Sequence, residues 1–321
     1  MSTGNEDLDV LTMGRIGVDV YPNDIGVSLR EVSSFGKYLG GSPSNVAVAA
    51  ARYGRRSAVI TRTGDDTFGE FLHDALRGFG VDDSHVRPVQ GLLTPVTFCE
   101  IFPPDDFPLY FYGRVPTAPD LQIQADELDL DAVRTAKIFW VTVTGLCQEP
   151  SRSATLAALE ARGRGGITIL DLDYRPMFWG SREEAREQVQ KALPYVTVAV
   201  GNLDECDTAV GQREPAAAAA ALHEAGVDLA VVKQGPLGVL GSDRTSTLTV
   251  PPVPVEPLNG LGAGDSFGGA LCHGLLAGWD LERVLRFANA AGAIVASRLA
   301  CADAMPTADE VEARLKEAAN A

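Results

Sequence analysis

The run Asn259-Gly260-Leu261-Gly262-Ala263-Gly264-Asp265 puts a carboxylate where a glycine-rich loop turns into a helix. Apolar Phe267, Leu271, Leu275 and Leu276 recur at helical spacing and predict a helix over about 263–278. A helix start has unpaired N–H groups and partial positive charge, so it is a ready anion site. Asp265 in the first turn can take a proton from a hydroxyl while those N–H groups hold charge on a transferring phosphoryl group. An ordinary first-turn acid after a glycine loop has the same local pattern. The run is not a P-loop, because no G-x-x-x-x-G-K-[ST] is present. It brushes the dinucleotide fingerprint, but the chain after Gly278 reads as helices rather than a strand bearing an acid.

Other polar residues sit where such a site needs them. Asp19 lies in an apolar stretch, where a carboxylate requires bonding partners and can accept from substrate hydroxyls. Gly40-Gly41-Ser42-Pro43-Ser44-Asn45 precedes an alanine-rich helix, with Ser42 predicted as N-cap and Pro43 as the first helical residue. The paired glycines let a ligand lie against the backbone, and the Asn45 amide can donate and accept.

These residues need elements to hold them. Leu8 to Met13 reads as a strand, with Gly14 to Tyr21 continuing extended. From Lys137 onward, strands at 138–143, 167–172, 196–200 and 229–233 alternate with helices at 151–162, 183–193 and 215–225. That rhythm predicts a mostly parallel sheet with helices on both faces. Ligands of such sheets bind beyond the carboxyl ends of the strands. Asp171-Leu172-Asp173-Tyr174-Arg175, Asn202-Leu203-Asp204-Glu205, Lys233-Gln234-Gly235-Pro236-Leu237-Gly238 and the glycine loop before Asp265 all fall there. Strands at 96–102 and 109–112, with material from about 20–32, predict a small separate sheet able to cover the site. The tail reads as helices at 281–297 and 308–319.

Composition narrows the class of protein. The 321 residues are 45% hydrophobic and 22% charged, ordinary for a globular chain. A net charge of −16 argues against a nucleic-acid or anionic-membrane binder. The five cysteines are scattered without C-x-x-C spacing and read as reduced thiols of a cytoplasmic protein. The acidic, polar opening does not read as a signal peptide, and no apolar run approaches the ~20 residues of a membrane span.

With these residues in place, the chain resembles the PfkB/ribokinase-like carbohydrate kinases over nearly its whole length. Gly40-Gly41-Ser42-Pro43-Ser44-Asn45-Val46-Ala47 is similar to the family's N-terminal signature and Asn259-Gly260-Leu261-Gly262-Ala263-Gly264-Asp265 to its C-terminal one. The resemblance implies an α/β, three-layer αβα fold over 1–321, with a mostly parallel central sheet and a β-sheet lid drawn from about 15–37 and 92–114. It implies ATP and Mg²⁺ as cofactors, Asp265 as catalytic base and Gly262, Ala263 and Gly264 as the anion hole. Asn202 and Glu205 match an N-x-x-E motif that organises Mg²⁺ and phosphates. Lys233, Gly235 and Gly238 would lie along the nucleotide, Asn289 near the adenine, and Asp19, Gly41 and Asn45 against the sugar hydroxyls. A homodimer through the lid is a further expectation.

Gly-Gly-Ser-Pro-Ser-Asn, Asp-Leu-Asp-Tyr-Arg-Pro and Cys301-Ala302-Asp303-Ala304-Met305-Pro306-Thr307 resemble most the family branch that phosphorylates 5-dehydro-2-deoxygluconate in myo-inositol breakdown. Such an acid calls for a cation, for which Arg114, Arg175, Arg62 and Lys37 are candidates; Arg175 can also meet the moving phosphate. The alternatives are a kinase for 2-dehydro-3-deoxygluconate, fructose or ribose, or a non-catalytic sugar sensor on the same fold. The sequence departs from the family pattern at Asn259-Gly260, where an Asp-Thr is usual and the Asp helps a K⁺ site, and at Asp171-Leu172-Asp173-Tyr174-Arg175, where Asp-Pro-Asn-Tyr-Arg is common. Pro251, Pro252, Pro254 and Pro257 weaken strand pairing before the glycine loop.

Overall fold

A computed structural model describes residues 8–319. The chain starts in β1 (Val10–Met13), passes through Gly14 and Arg15, and builds β2 (Gly17–Pro22) and β3 (Phe35–Gly40) before α1 (Ser42–Arg52). Next come β4 (Ser57–Gly64), α2 (Thr67–Gly78), β5 (Val81–Asp82), β6 (Val86–Val89), β7 (Val96–Cys99) and β8 (Leu109–Tyr112). Alternation then sets in with α3 (Leu130–Thr135), β9 (Ile138–Thr142), α4 (Ser151–Arg162), β10 (Ile167–Asp171), α5 (Arg182–Ala192), β11 (Val198–Asn202), α6 (Leu203–Val210), α7 (Pro215–Glu224) and β12 (Leu229–Lys233). A hairpin of β13 (Val239–Ser242) and β14 (Thr247–Val250) follows, and α8 (Ala263–Leu276), α9 (Leu281–Ala296) and α10 (Ala308–Ala319) close the chain.

Among the described residues, the main sheet runs β14-β13-β12-β11-β10-β9-β1-β4-β5, with β6 also paired to β4. Pairing is parallel from β12 to β5 and antiparallel at the β12-β13-β14 edge. The central strands are apolar throughout because both faces are covered, and successive residues serve opposite cores. In β9, Phe139 and Val141 join a core with Leu159 of α4, Val189 of α5 and Leu222 of α7. Ile138 and Trp140 join the other, with Phe267 and Leu271 of α8 and Phe287 of α9. The result is the three-layer αβα arrangement expected from the alternating pattern.

Two helices that carry site residues at their starts, α1 and α8, are packed directly together. A Cβ at Gly268 would come within 2.6 Å of Trp140 Cη2, and one at Gly269 would overlap Ala49. Glycine at both positions therefore brings α8 onto the sheet and onto α1.

The small sheet has the order β3-β2-β7-β8. Its register sets Tyr38, Asp19, Thr97 and Phe111 side by side on one face. The next row, Lys37, Val20, Phe98 and Tyr110, faces the other way. The Asp19 face packs, through Tyr21, Cys99 and Leu109, against Leu261, Leu299 and Cys301 beside the glycine loop.

The structure corrects two expectations. After Gly14, with φ 139°, the chain leaves for the small sheet and is extended over Gly17–Pro22 as expected, but β3 runs past the expected limit at 37 to Gly40 because Leu39 and Gly40 pair with Val18 and Gly17. Gly41, not Ser42, caps α1; with φ 105° it starts the turn, and the Ser42 hydroxyl faces Asp171 Oδ2 at 3.5 Å. As the prolines predict, residues 251–257 form no strand, and β14 ends its pairing at Val250, just ahead of them.

Candidate active site

The start of α8 is built by Gly262 in the left-handed conformation (φ 79°), where a Cβ would stand 2.6 Å from Cys301 Sγ. The Ser266 N–H donates to the Gly262 carbonyl at 2.9 Å, which leaves the N–H groups of residues 263–265 at the open end of the helix. Asp265 is partly buried there, and the Asn45 Nδ2 donates to its Oδ2 at 2.7 Å. Burial raises the Asp265 pKa; donors on Asn45 and Ser42 oppose the rise, Asp173 adds to it and Arg175 reduces it. The carboxylate is thereby more basic than a surface acid, as a proton acceptor must be.

The α1 start lies alongside. A Cβ at Gly41 would overlap the Arg15 carbonyl, and the Asn45 N–H donates to the Gly41 carbonyl at 2.9 Å. The Asn45 Oδ1 is buried without a partner, free to accept from a ligand hydroxyl. Asp19 sits on the inner face of the lid, 8% exposed, and accepts from the Tyr21 hydroxyl at 2.9 Å. Burial pushes its pKa up to about 6, against Arg15, Tyr21 and Thr97.

The strand-end clusters converge on the same place. Lys233 closes β12, and its Nζ lies 3.3 Å from where a Cβ of Gly264 would be, at the anion site. Burial alone would lower the Lys233 pKa, but Glu205, Asp171, Asp265 and Asp173 together raise it. Asp171 is buried and its carboxyl is raised by burial, against Lys233. Asp173 pairs with Arg175 at 2.8 Å, and the second oxygen of Asp173 and the Nε of Arg175 are buried without partners. Asn202 and Glu205 form a capping box at the start of α6: the Glu205 N–H donates to Asn202 Oδ1 at 2.9 Å, and the Asn202 N–H donates to Glu205 Oε2 at 2.7 Å.

Other predicted residues have local partners. Arg114 is buried, makes two bonds to Asp120 at 2.7 and 3.0 Å, and stacks 4.6 Å from the Phe178 ring centre. Arg62 pairs with Glu127 at 2.8 Å. Lys37 is exposed on the lid face opposite Asp19, 3.8 Å from the Phe71 ring centre. Asn289 Nδ2 donates to the Pro251 carbonyl at 3.0 Å. Gly235 and Gly238 both have positive φ, and a Cβ at Gly238 would overlap the Val250 carbonyl, so the fold itself requires glycine there.

Sequence reading missed three neighbours of the site: Tyr21, Thr97 and Arg15 act on Asp19. Gly40, already singled out as one of the paired glycines, has a second role, since a Cβ there would overlap the Asp19 carboxyl group. The alternation of β2 could have found Tyr21; the others depend on pairings between distant segments.

The donor set bears on the metal ions the resemblance implies. Asp171, Asp173 and Glu205 lie within electrostatic reach of Lys233, and the unpartnered Asp173 oxygen fits Mg²⁺ carried on nucleotide phosphates and met through water. Among the described residues, no group of three His, Cys, Asp or Glu is placed to hold an ion outright. The set does not fit K⁺ at Asn259. That side chain is fully buried and uncharged; its Nδ2 donates to the Leu299 carbonyl at 2.6 Å, and its Oδ1 accepts from the Leu261 N–H at 3.0 Å.

The pfkB family carbohydrate kinase profile matches residues 7–308. The chain is 34% identical over 312 residues to a 5-dehydro-2-deoxygluconokinase of Geobacillus thermodenitrificans, covering 95% of this chain and 92% of the relative. A fructokinase double mutant from Vibrio cholerae O395, in its fructose, ADP and potassium ion bound form, is 26% identical with a TM-score of 0.85, covering 97% and 99% of the two chains. An E. coli structure titled as a ribokinase II in complex with ATP and Mg²⁺ has a TM-score of 0.87 at 24% identity, covering 97% and 99%. The chain thus belongs to the pfkB family of carbohydrate kinases, sugar phosphotransferases with a ribokinase-like fold.

Proposed function

We propose that this kinase transfers the γ-phosphoryl group of ATP to the 6-hydroxyl of 5-dehydro-2-deoxy-D-gluconate, in myo-inositol catabolism. The observation that carries this reading is the 34% identity, over 95% of the chain, to a relative of that name. Asn45 and Asp19 hold the sugar hydroxyls and orient the acceptor toward Asp265. The acceptor oxygen forms its bond to phosphorus as Asp265 takes its proton, and the bond from phosphorus to the ADP oxygen breaks. The N–H groups of Gly262, Ala263 and Gly264 and the Lys233 ammonium stabilise the phosphoryl oxygens, so positioning and charge carry the rate. Mg²⁺ supplies neutralisation of the nucleotide phosphates when bound, with Asn202 and Glu205 ordering its water. The lid, seated on Leu261 and Cys301, excludes water from the transfer.

Three finer readings accompany this one. The kinase works without K⁺, given the bonds of Asn259. It forms a homodimer through the lid face opposite Asp19, where Phe35, Tyr110 and Tyr112 are 40%, 41% and 60% exposed. It works in the cytoplasm, where its five buried free thiols stay reduced. No helix among the described residues is long and apolar enough to cross a membrane.

The test is phosphoryl transfer from Mg-ATP across 5-dehydro-2-deoxygluconate, 2-dehydro-3-deoxygluconate, fructose and ribose. The highest kcat/KM is expected for the first. A higher value for any other acceptor overturns the substrate while leaving the role of Asp265 intact.

A further inference from the structure

An acidic substrate has an electrostatic problem in this pocket. Asp19, Asp171, Asp173, Glu205 and Asp265 interact with one another or with shared cations, so a second carboxylate entering with the sugar meets net negative charge unless a cation receives it. The cations named by sequence reading are all otherwise placed. Arg62, Arg114 and Arg175 are paired with Glu127, Asp120 and Asp173, and Lys37 is on the far face of the lid.

Arg15 is different. It forms no ion pair among the described residues, while its Nε, like those of Arg114 and Arg175, is buried without a hydrogen-bond partner. Its backbone is pinned at the α1 start, with its carbonyl against Gly41 and accepting from the Ser44 hydroxyl at 3.5 Å. Its guanidinium lies 5.4 Å from the ring centre of Phe111, which stands in the same cross-strand row as Asp19. Asp19 is within electrostatic reach of both Arg15 and Asp265. The fork of a guanidinium matches a carboxylate with two parallel hydrogen bonds, and a half-buried one with no carboxylate at ion-pair distance gains most from receiving it.

We infer that Arg15 is the specificity-determining residue of this kinase, receiving the carboxylate of a sugar-acid substrate at the seam between lid and body while the far hydroxyl meets Asp265. The inference rests on the sugar-acid reading above and names the residue that selects the acid. Phe111 flanks the guanidinium, so lid closure would dry the ion pair as it forms.

The experiment compares wild type, Arg15→Gln, Arg15→Lys and the lid-face control Lys37→Gln. Each is assayed with 5-dehydro-2-deoxygluconate and with its carboxamide, which has the same shape without the charge. Arg15→Gln is expected to raise KM for the acid on the order of 10–100-fold, the scale of a lost charged hydrogen-bond pair, with kcat and the KM for ATP little changed. Its turnover of the carboxamide should match or exceed wild type, which also shows that the variant is folded. Arg15→Lys should recover part of the acid preference, and Lys37→Gln should keep all of it. An acid preference that survives in Arg15→Gln, or is lost in Lys37→Gln, overturns the role of Arg15 alone. A wild type that uses acid and carboxamide equally overturns the sugar-acid reading and this inference with it.

Discussion

The Nδ2 of Asn45 donates to the Oδ2 of Asp265 at 2.7 Å across 220 positions of chain. The bond ties the start of α1 to the start of α8, and it acts on the chemistry as well as the geometry. A donor to a carboxylate favours the ionised form, so Asn45 counters the burial that raises the Asp265 pKa. A base must be ionised to accept a proton. Asn45→Ala should therefore move the acid limb of the kcat/KM profile to higher pH. A limb that stays in place would show that another group titrates there.

Asp265→Asn keeps the shape and removes the proton acceptor. kcat should fall by roughly 10² or more, the usual scale for a lost general base. ATP and sugar binding, measured by calorimetry, should be largely retained. Turnover within a few-fold of wild type would remove Asp265 from the mechanism.

Asp19 links the site to stability. Its pKa rises from 3.8 to about 6 on folding, so the folded state holds the proton more tightly than the unfolded chain. The stabilisation from that proton is complete below 3.8 and is lost as pH rises through about 6. The gap is equivalent to roughly 3 kcal/mol at most. Asp19→Asn has no such dependence, so its unfolding free energy should gain on wild type between about pH 4 and pH 7. Parallel urea curves at the two pH values decide this, and an unchanged difference would refute the assignment. Acceptor KM should rise in the same variant.

How much of this was legible before the fold is visible in particular residues. The helix at Ser151–Arg162 and the strand at Leu229–Lys233 fall where apolar spacing put them, because their periodicity is complete and their ends carry clear stops. The strand-end clusters meet as expected because parallel strands share one carboxyl edge. What stayed hidden depends on pairing between remote segments. Thr97 and Phe111 join Asp19 only through the register of the small sheet. Arg114 reads as a free cation until the turn brings Asp120 onto it. Arg15 reads as a strand residue, and only its folded position, near Asp19 yet in no ion pair among the described residues, marks it out.

Lys233→Met tests the charge balance at the anion site. The ammonium lies beside Gly264 and is held by Glu205, Asp171, Asp265 and Asp173. Its loss leaves those acids facing the incoming phosphates without compensation. kcat/KM for ATP should drop on the order of 10–100-fold, as for other lost charged contacts. Equal loss with a neutral change at exposed Lys37 would point to net charge rather than position.

K⁺ should be dispensable. Asn259 has both polar atoms engaged within the protein and carries no charge. Initial rates at constant ionic strength should match in potassium and tetramethylammonium salts. A several-fold stimulation by K⁺ would mean that other oxygens form the site.

Gly40 provides the sharpest separation of sugar from nucleotide. It ends β3 opposite Gly17, and a Cβ there would overlap the Asp19 carboxyl group. The obstacle is steric rather than conformational, because Gly40 does not have the positive φ of neighbouring Gly41. In Gly40→Ala the Asp19 side chain must turn away, since it is the part able to move. Its bond from Tyr21 and its place in the acceptor pocket go with it. Lys233, Glu205 and the α8 start contact neither residue's side chain in this way, so the nucleotide half should be untouched. Acceptor KM should rise about tenfold or more, as expected for one lost hydrogen bond to a charged group, while KM for ATP stays constant. A parallel rise in both constants would mean that the substitution unseats the lid as a whole rather than Asp19 alone.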